Sequence, residues 1–491
     1  MIFLKQKVEY FLTTVYFTVS AEFLYCMINS IRQAMFKKLL FLFFGLQTIY
    51  AQEKTPHLNG NVKISIAEGT FECDFTLNDI PNIKDYYIRI NAGMNILNFK
   101  SLKPNEFLIG YSFSPNDKAY ESRGYYFPAN NTNDKFLPKV VQVKYVGKFP
   151  VIKDTISDYS RKDWKGNIAF NSFSVRADGT QSAWYPILYD VTNDKIYDQM
   201  TYDVTIECVD CNTLYVNGNI PVKTSKNRFI SDTPKELMLF CGNYDYKQIN
   251  STYILNPDIG IDKLKELEAF IGTFKKYYEK KLSIPFGQPI TFIQTTPTSK
   301  KDGWLFVAYP TIVNVGYGNN SLSGLLDKWF KPFIAHELGH YYFGTYKVFN
   351  SELGDMLSEG FAEYLSLKLS LDILGKDVYQ KEINEKFEFL SDFKAIPFQK
   401  VKTTADYTDR ETYVYDYAPV VFLAIEKEIG EKQMWQWIST LLQSKAEMTN
   451  YDFMVKTLDS VLKDKTKLEN IISKYFASDD SVENAIKKLK S

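Results

Sequence analysis

Apolar and polar residues alternate in short runs over the first half of the chain, from about residue 58 to residue 235. The segment "VKISIAEGTFECDFTL" (62–77) alternates on both sides of a turn at Gly69, and "YDVTIECVDCNTLYVNGNI" (202–220) ends in an Asn-Gly turn. A period of two places one face of a strand on a core and the other face in solvent. The pattern therefore predicts an N-terminal antiparallel β domain of sandwich or saddle type.

The periodicity changes after residue 236. "IDKLKELEAFIGTFKKYYEKKL" (261–282) carries an apolar stripe at helical spacing, with lysines and glutamates opposite it, and Pro285 follows its end. This segment predicts an amphipathic helix whose buried stripe is Leu264, Leu267, Ile271, Phe274 and Tyr278. Helical periodicity then dominates to the C-terminus, after three apolar strand candidates at 289–295, 303–309 and 311–316.

These changes predict a multidomain α+β protein. A chain of 491 residues, 45% of them hydrophobic, is globular and too long for a single core. We predict an N-terminal β domain over 52–235, an α+β domain over 236–375 and a helical C-terminal part over 376–491.

A secretory signal is predicted at "MFKKLLFLFFGLQTIYAQEK" (35–54). Lys37 and Lys38 supply its positive start, an apolar run extends from Leu39 to about residue 46, and small residues end it at Ala51. The apolar run is far shorter than the ~20 residues that a bilayer span needs.

Residues 1–34 precede this signal, and we interpret them as an extension from an upstream start codon. The alternative is a membrane anchor at 11–28, but Glu22 inside that segment argues against it. We therefore predict that 1–51 is a leader and that the mature chain begins near Gln52 without a membrane span. The mature protein is expected in the periplasm or outside the cell.

Export would place Cys73, Cys208, Cys211 and Cys241 in an oxidising compartment. Four cysteines allow three pairings, among which the sequence does not choose. "ECVDC" (207–211) has the spacing of a metal knuckle, but no second CxxC or nearby histidine accompanies it. This context favours a structural disulfide.

The formal net charge is zero, so the chain has no field that would gather nucleic acid. We expect no nucleic-acid partner, and the sequence does not indicate an oligomeric state.

"IAHELGHYYFG" (334–344) contains two of the three histidines of the chain, His336 and His340. Pro332 suits the first turn of a helix and Gly344 suits its end. Residues four apart share one helical face, so both imidazoles can bind one metal ion, with zinc as the expected ion. Glu337 lies between them, where it can act on a water molecule at the ion without binding the metal.

A third ligand is expected from "SELGDMLSEGFAEYLSLKLSLDILG" (351–375), a predicted second helix that ends at Gly375. Glu359 lies near its start and would complete a His/His/Glu set that leaves the fourth zinc position open. Glu363, one turn later, either accepts a hydrogen bond from a ligating histidine or is a solvated helix charge. The nearby acids Glu352 and Asp355 are weaker candidates.

"HELGHYYFG", the eighteen residues between His340 and Glu359, and "SEGFAEY" resemble the gluzincin zinc metallopeptidases of the membrane alanyl aminopeptidase family. In that family HExxH, an eighteen-residue gap and a glutamate in an Asn-Glu-Gly-Phe-Ala context supply the zinc ligands. The resemblance implies one zinc ion held by His336, His340 and Glu359, with Glu337 as general base. It also implies a β domain, a thermolysin-like α+β catalytic domain and a helical C-terminal part.

Hydrolysis of an amide creates an oxyanion that needs a hydrogen-bond donor. The remaining histidine, His57, lies in the other predicted domain, so a tyrosine is needed. The family uses a tyrosine in a Tyr-Glu-Lys-Gly-Ala context, and the similar segment "YVYDYAPVVFLAIEKEIGEK" (413–432) places Tyr415 on it. Tyr417 and Ala418 replace the usual lysine and glycine, and Tyr413 and Tyr417 remain alternatives to Tyr415.

Aminopeptidases of this family also carry Gly-Ala-Met-Glu-Asn on an edge strand, and its glutamate binds the free amine of the substrate. The matching segment "FVAYPTIVNVG" (306–316) has no acid, and Tyr309 stands in the position of that glutamate. The exopeptidase motif is therefore degenerate, while the reaction centre matches the family.

The sequence thus predicts a secreted zinc metallopeptidase that hydrolyses peptide bonds in peptide or protein substrates, aminopeptidase-like or endopeptidase-like. The alternative is a non-catalytic, peptidase-fold binding protein of the cell envelope, although such a relative would be expected to have lost a ligand or the base. The sequence does not decide the side-chain preference of the substrate.

Overall fold

A computed structural model describes residues 55–102, 110–117, 119, 121–129, 134–152, 168–171, 173–257, 259–287, 289–295, 304–308, 310–315, 322–446 and 448–491. From Thr55 to Ser491 the chain forms one structural unit. The predicted leader (1–51) and Tyr309 lie outside the described residues.

The first half is built from short strands, as the alternation predicts. They are His57–Ser65 (β1), Thr70–Asn78 (β2), Tyr86–Asn91 (β3), Met94–Ser101 (β4), Ser112–Phe113 (β5), Ser122–Tyr126 (β6), Val141–Lys148 (β7), Val151–Ile152 (β8), Ile168–Asn171 (β9), Ser174–Ala177 (β10), Ile187–Asp190 (β11), Lys195–Tyr197 (β12), Gln199–Cys208 (β13), Thr213–Val216 (β14), Lys226–Glu236 (β15), Leu239–Gly242 (β16), Tyr246–Ile249 (β17) and Thr252–Leu255 (β18).

Most of these strands pair antiparallel, in one six-stranded sheet (β15-β13-β1-β2-β7-β4) and two five-stranded sheets (β14-β16-β10-β9-β8 and β12-β11-β3-β6-β5). The β1–β2 hairpin turns at Gly69, which has φ +65°. Two pairings differ from the prediction, because β1 lies parallel to β13 and β8 lies parallel to β9. Strands distant in sequence are not limited to the antiparallel geometry of a hairpin.

The inward-facing residues of these strands form a continuous apolar core. Strand β13 is buried at every second residue, and Trp184, fully buried, packs against Phe71 and Phe75. The core continues past the predicted boundary at 235 to Cys241, although the boundary itself stays a prediction.

A disulfide joins Cys208 and Cys211, so the structural disulfide favoured by the sequence is present, with a pairing that the sequence left open. Cys73 and Cys241 are buried thiols in the same core. Because neither side chain is exposed, both act as small apolar residues of the packing.

A mixed sheet begins the second half. Its order is β17-β18-β19-β21-β20, with Thr291–Thr295 (β19), Trp304–Ala308 (β20) and Thr311–Val315 (β21) within the three predicted strand segments. Strands β18, β19 and β21 are parallel, whereas β17 and β20 are antiparallel edges. Helix Ile261–Leu282 (α1) has the predicted bounds and buries the predicted stripe.

The remaining helices follow in sequence: Lys331–Gly339 (α2), Gly354–Leu369 (α3), Lys376–Phe389 (α4), Ala418–Ile429 (α5), Glu431–Gln443 (α6), Tyr451–Leu462 (α7), Lys465–Ile471 (α8) and Ser481–Lys490 (α9). Short 3₁₀ turns lie at Gly324–Leu326, Phe398–Lys400 and Thr404–Tyr407, and π turns at Ser370–Leu374, Thr412–Tyr417 and Ile472–Phe476. Among the residues that the structure describes, no helix has the length and apolarity required to span a bilayer. The architecture is thus mainly antiparallel sheets, then a mixed α/β part, then helices.

Candidate metal centre

Helices α2 and α3 bring the HExxH motif against the second acidic motif. A Cβ on Gly339 would lie 3.1 Å from the Cα of Ala362, so glycine permits this close approach of the two helices. On the other side of α3, a Cβ on Gly360 would lie 2.8 Å from the Cβ of Ala418. The glycines of "HELGH" and "EGFA" therefore fix the position of α3 between α2 and α5.

The predicted end of the first helix at Gly344 is wrong, because α2 ends at Gly339. His340 follows with φ −65° and ψ −13°, so its backbone stays helical and its side chain remains beside that of His336. Gly344 lies beyond a further turn, at φ +147°, a conformation that glycine adopts readily.

Three predicted ligands converge on one point. The two histidine Nε2 atoms are 3.1 Å apart, and each lies 3.2 Å from Oε2 of Glu359. His336 is buried, and the His340 and Glu359 side chains are less than one-fifth exposed. In the described part of the chain, this is the set of histidine and carboxylate groups whose geometry suits a metal ion.

The outer nitrogen of each ring is held by an acceptor. His336 Nδ1 lies 2.7 Å from Oε2 of Glu363, and His340 Nδ1 lies 3.2 Å from the carbonyl oxygen of Phe343. A carboxylate and a carbonyl can only accept, so both Nδ1 atoms carry a proton. In the neutral imidazoles both Nε2 atoms then present lone pairs toward the Glu359 carboxylate.

Three converging lone pairs repel each other unless a cation lies between them. Two imidazole nitrogens and one carboxylate oxygen form the ligand set that catalytic zinc sites use, with one position left open. The residues therefore fit zinc. Burial alone would lower the pKa of His336, but Glu359 and Glu363 raise it to about 10, so a proton competes with a metal ion for this position.

Glu363 is not a solvated helix charge, because its side chain is only 13% exposed and contacts His336. Its second oxygen lies 2.7 Å from Nζ of Lys386. Burial would raise the pKa of Glu363, but Lys386 and His336 lower it to about 2. Glu363 therefore remains an acceptor that fixes the tautomer and orientation of His336.

Lys386 was not predicted from the sequence. It is buried in α4, and its Nζ donates to the carbonyl of Tyr415 at 2.8 Å and lies 3.5 Å from Asp416. The buried residues of α4 are Val378, Ile383 and Lys386, so this lysine occupies the apolar face of an amphipathic helix. A charge in that position is the pattern that could have identified it.

Glu337 is buried next to the two histidines. Burial raises its pKa, and the neighbouring histidine charges act in the opposite direction. A carboxylate with a raised pKa is suited to accept and return a proton.

Of the three candidate tyrosines, Tyr415 lies at the metal centre, with its ring centroid 5.7 Å from that of His336. Tyr413 and Tyr417 are fully buried, where Tyr413 donates to the carbonyl of Ile396 and Tyr417 contacts the hydroxyl of Ser481. All three belong to the π turn Thr412–Tyr417, so the turn separates one half-buried tyrosine from two core tyrosines.

The weaker acidic candidates have other partners. Glu352 accepts a hydrogen bond from the backbone N–H of Tyr451. Asp355 accepts two hydrogen bonds from Arg410, each 2.7 Å long. His57 lies in β1 and contacts Thr201, in the β-rich half of the molecule.

No protein-family model matches the chain, and no curated protein matches it in sequence. Solved structures do match. A mutant M1 zinc metallopeptidase of Deinococcus radiodurans, bound to a Tyr-Ser-Ala substrate, has a TM-score of 0.59 at 11% identity, over 86% of this chain and 94% of that one. Yeast LTA4 hydrolase in complex with bestatin has a TM-score of 0.58 at 15% identity, over 86% of this chain and 67% of that one.

The chain has the fold of the M1 zinc metallopeptidases. The predicted resemblance is therefore confirmed at the level of the fold. The D. radiodurans enzyme without the mutation matches as well, with a TM-score of 0.55 at 11% identity over 87% of this chain and 95% of that one.

The segment expected to carry an amine anchor (306–316) includes the end of β20, the edge strand of the mixed sheet, and the neighbouring strand β21. Tyr309 follows β20 and lies outside the described residues. The missing acid in "FVAYPTIVNVG" (306–316) thus remains an observation on the sequence.

Proposed function

We propose that this chain is a zinc-dependent metallopeptidase that hydrolyses peptide bonds. The observation that carries the proposal is the convergence of the two histidine Nε2 atoms and Glu359 Oε2 within 3.2 Å of each other. The outer nitrogens of both rings are already bound to acceptors, so these lone pairs are available to a cation. A thermolysin-like catalytic domain around α2 and α3 is part of this proposal.

Each side chain has a role that follows from its position. A bound zinc ion would supply a Lewis acid that polarises the peptide carbonyl and makes a water molecule more acidic. Glu337 takes a proton from the attacking water and passes it to the leaving amine. Tyr415 donates a hydrogen bond to the carbonyl oxygen as negative charge develops on it.

Glu363 and Lys386 support this centre from the buried side. Glu363 holds the proton-bearing Nδ1 of His336, and Lys386 keeps Glu363 ionised. Lys386 also holds the backbone of Tyr415, so one buried cation couples a metal ligand to the proposed oxyanion donor.

The absence of an acid in "FVAYPTIVNVG" (306–316) bears on the mode of cleavage. A substrate ammonium buried without a carboxylate partner is costly, which favours cleavage that does not require a free N-terminus. We propose that the substrate is an extended peptide or protein segment and that the enzyme acts after export, as the signal at 35–51 suggests.

The central experiment compares Glu337→Gln with Glu359→Ala. Glu337→Gln is expected to bind one zinc ion per chain and to hydrolyse no peptide, whereas Glu359→Ala is expected to lose the zinc. Elemental analysis and mass-spectrometric mapping of a mixed peptide pool measure the two properties. Hydrolysis by metal-loaded Glu337→Gln would exclude Glu337 as the general base. A wild-type protein without stoichiometric zinc would exclude the proposed zinc site.

The mode of cleavage is tested by comparing hydrolysis of a peptide with hydrolysis of its N-acetylated derivative. Equal kcat/KM for the two would support cleavage that ignores the N-terminus. A strong preference for the free amine would assign aminopeptidase activity and would require an amine-binding acid from another segment.

A further inference from the structure

Arg410 lies beside two groups of the proposed reaction centre. Its Nη2 is 3.6 Å from Oε1 of Glu359, the oxygen that does not face the histidines. Its guanidinium carbon is 5.7 Å from the ring centroid of Tyr415, within the range over which a guanidinium interacts with an aromatic side chain. About half of the Arg410 side chain is exposed.

A bidentate ion pair fixes the orientation of this guanidinium. Nε and Nη2 of Arg410 donate to the two oxygens of Asp355, each at 2.7 Å. Asp355 lies in the first turn of α3, one turn before Glu359 on the same face. The planar arginine is therefore oriented by the helix that supplies the third metal ligand.

The chemistry of arginine allows only one direction for a hydrogen bond between Arg410 and the Tyr415 hydroxyl. A guanidinium has five donors and no acceptor, so in such a bond the phenol oxygen of Tyr415 accepts. The proton of the Tyr415 hydroxyl then points away from Arg410 and remains available to another acceptor. Without Arg410, the carboxylate of Glu359 would be an alternative acceptor for this proton.

We propose that Arg410 is a positioning residue that orients the Tyr415 hydroxyl as a donor toward the carbonyl oxygen of a bound peptide. The positive charge of Arg410 also lies where negative charge develops on that oxygen through Tyr415. Asp355 balances this charge in the resting protein, so it adds little repulsion to the metal ion. The inference rests on the proposed function, because it assigns Arg410 a part in that reaction.

A double-mutant cycle between Arg410 and Tyr415 tests the proposal. Tyr415→Phe is expected to lower kcat by roughly 100-fold, the usual effect of one lost oxyanion donor. Arg410→Gln is expected to lower kcat by roughly tenfold with little change in KM, since it removes the charge-assisted hydrogen bond that we propose to the Tyr415 hydroxyl. The double variant should be no slower than Tyr415→Phe alone, because Arg410 acts through that hydroxyl.

Two further variants separate positioning from a structural role. Arg410→Lys keeps a donor and a charge and should restore part of kcat. Arg228→Gln is the matched control, since Arg228 also pairs with an aspartate, Asp203, through Nε and Nη2, but on the exposed β sheet. The control should leave kcat, KM and zinc content unchanged.

A binding measurement gives a readout that does not depend on turnover. Calorimetry with a phosphinic peptide, which mimics the tetrahedral intermediate, should show weaker binding to Arg410→Gln and to Tyr415→Phe, and no further loss in the double variant. Losses that multiply in the double variant, or an Arg410→Gln protein with unchanged kcat and affinity, would overturn the proposal. A wild-type protein that binds the phosphinic peptide but cleaves no peptide would reject the proposed function alone.

Discussion

Two groups of buried carboxyls, one in each half of the molecule, have pKa values that are shifted in opposite directions. Burial alone would raise the pKa of Glu359 and Glu363, but His340 and His336 lower the pKa of Glu359, and Lys386 and His336 lower that of Glu363. In the β-rich half, burial raises the pKa of Asp198 and that of Glu236, the latter to about 7. The pKa values of the first group are thus shifted down, and those of the second group are shifted up.

The geometry around Thr180 explains the second group. Its hydroxyl oxygen lies 2.9 Å from Oδ2 of Asp198 and 2.9 Å from Oε1 of Glu236. A hydroxyl has one proton, so a second proton must come from one of the two carboxyls. Asp178, a third buried acid nearby, also has a raised pKa, about 6, even though Arg176 acts to lower it.

Buried acids do not by themselves make a metal site. Carboxyls without sufficient positive charge hold protons, and a proton competes with a metal ion for the same lone pair. At the metal centre, Lys386 and the orientation of the histidines keep the oxygen lone pairs available. The cations beside the acids therefore distinguish the two groups.

The largest effect is expected from Lys386→Met, which removes the cation beside Glu363. We expect the free energy of unfolding to fall by about 3–5 kcal/mol, because Glu363 is left buried without its cation. We also expect zinc affinity to fall roughly 10–100-fold, because His336 loses an ionised partner. Denaturant unfolding and competition with a chromophoric chelator measure the two effects.

Lys368→Met is the matched control for that prediction. Lys368 is buried and lies 2.7 Å from Glu426, in a pair of the same type that has no contact with the metal ligands. The Lys368→Met variant should lose about as much unfolding free energy as Lys386→Met and keep the zinc affinity of wild type. Equal zinc affinity in Lys386→Met and wild type would show that the buried lysine does not act on the centre.

Removal of the metal should have the next largest effect on the free energy of unfolding. A ligand at about 100 times its Kd stabilises a folded protein by about 2.7 kcal/mol, so a chelator should lower the free energy of unfolding by that order. Thermal unfolding with and without added zinc measures the shift. Glu359→Ala should show no response to the chelator, and a response equal to that of wild type would place the ion elsewhere.

The smallest effect is expected from Glu236→Gln in the β-rich half. Glu236 has its pKa raised from 4.5 to about 7, so its contribution to stability is full below pH 4.5 and is lost as the pH rises to about 7. The neutral amide removes this loss and should stabilise the protein at pH 8 by about 1 kcal/mol, the order of one pKa unit, because Asp198 shares the proton of this pair.

Urea unfolding at pH 5 and pH 8 tests this prediction. The variant should show a smaller decrease in stability between the two values than wild type does. Glu68→Gln, at an exposed carboxyl, is the control and should leave the decrease unchanged. An identical decrease in wild type and Glu236→Gln would mean that Glu236 is already ionised at pH 5.

Local periodicity predicted the elements that depend on nearby residues. Helix Ile261–Leu282 and the hairpin at Gly69 follow from spacing within one segment. The placement of His336 beside His340 follows in the same way from helical geometry. The approach of Glu359 required the contact of two helices, which local spacing does not establish. Glu359 was a candidate because of its place in the next predicted helix, and the family resemblance implied the same ligand.

The remaining features depend on contacts between distant segments. Lys386 lies on the apolar face of its helix, a signal that does not identify its partner, and Arg410 lies in a charged stretch that resembles solvent-exposed surface. Only the packed chain brings the two residues to the centre. The parallel pairing of β1 with β13 is likewise set by packing of the whole sheet. The end of α2 at Gly339 was missed because His340 and the following residues continue the helical pattern in sequence.

The π turn at Thr412–Tyr417 makes the length of that segment as important as its composition. A π turn holds one residue more per turn than an α-helix, and each helical residue rotates the chain by about 100°. Deleting a single residue there would turn Tyr415 away from the histidines and bring a neighbouring side chain toward them. Evolution of this segment is therefore expected to permit amino-acid replacements more readily than insertions or deletions.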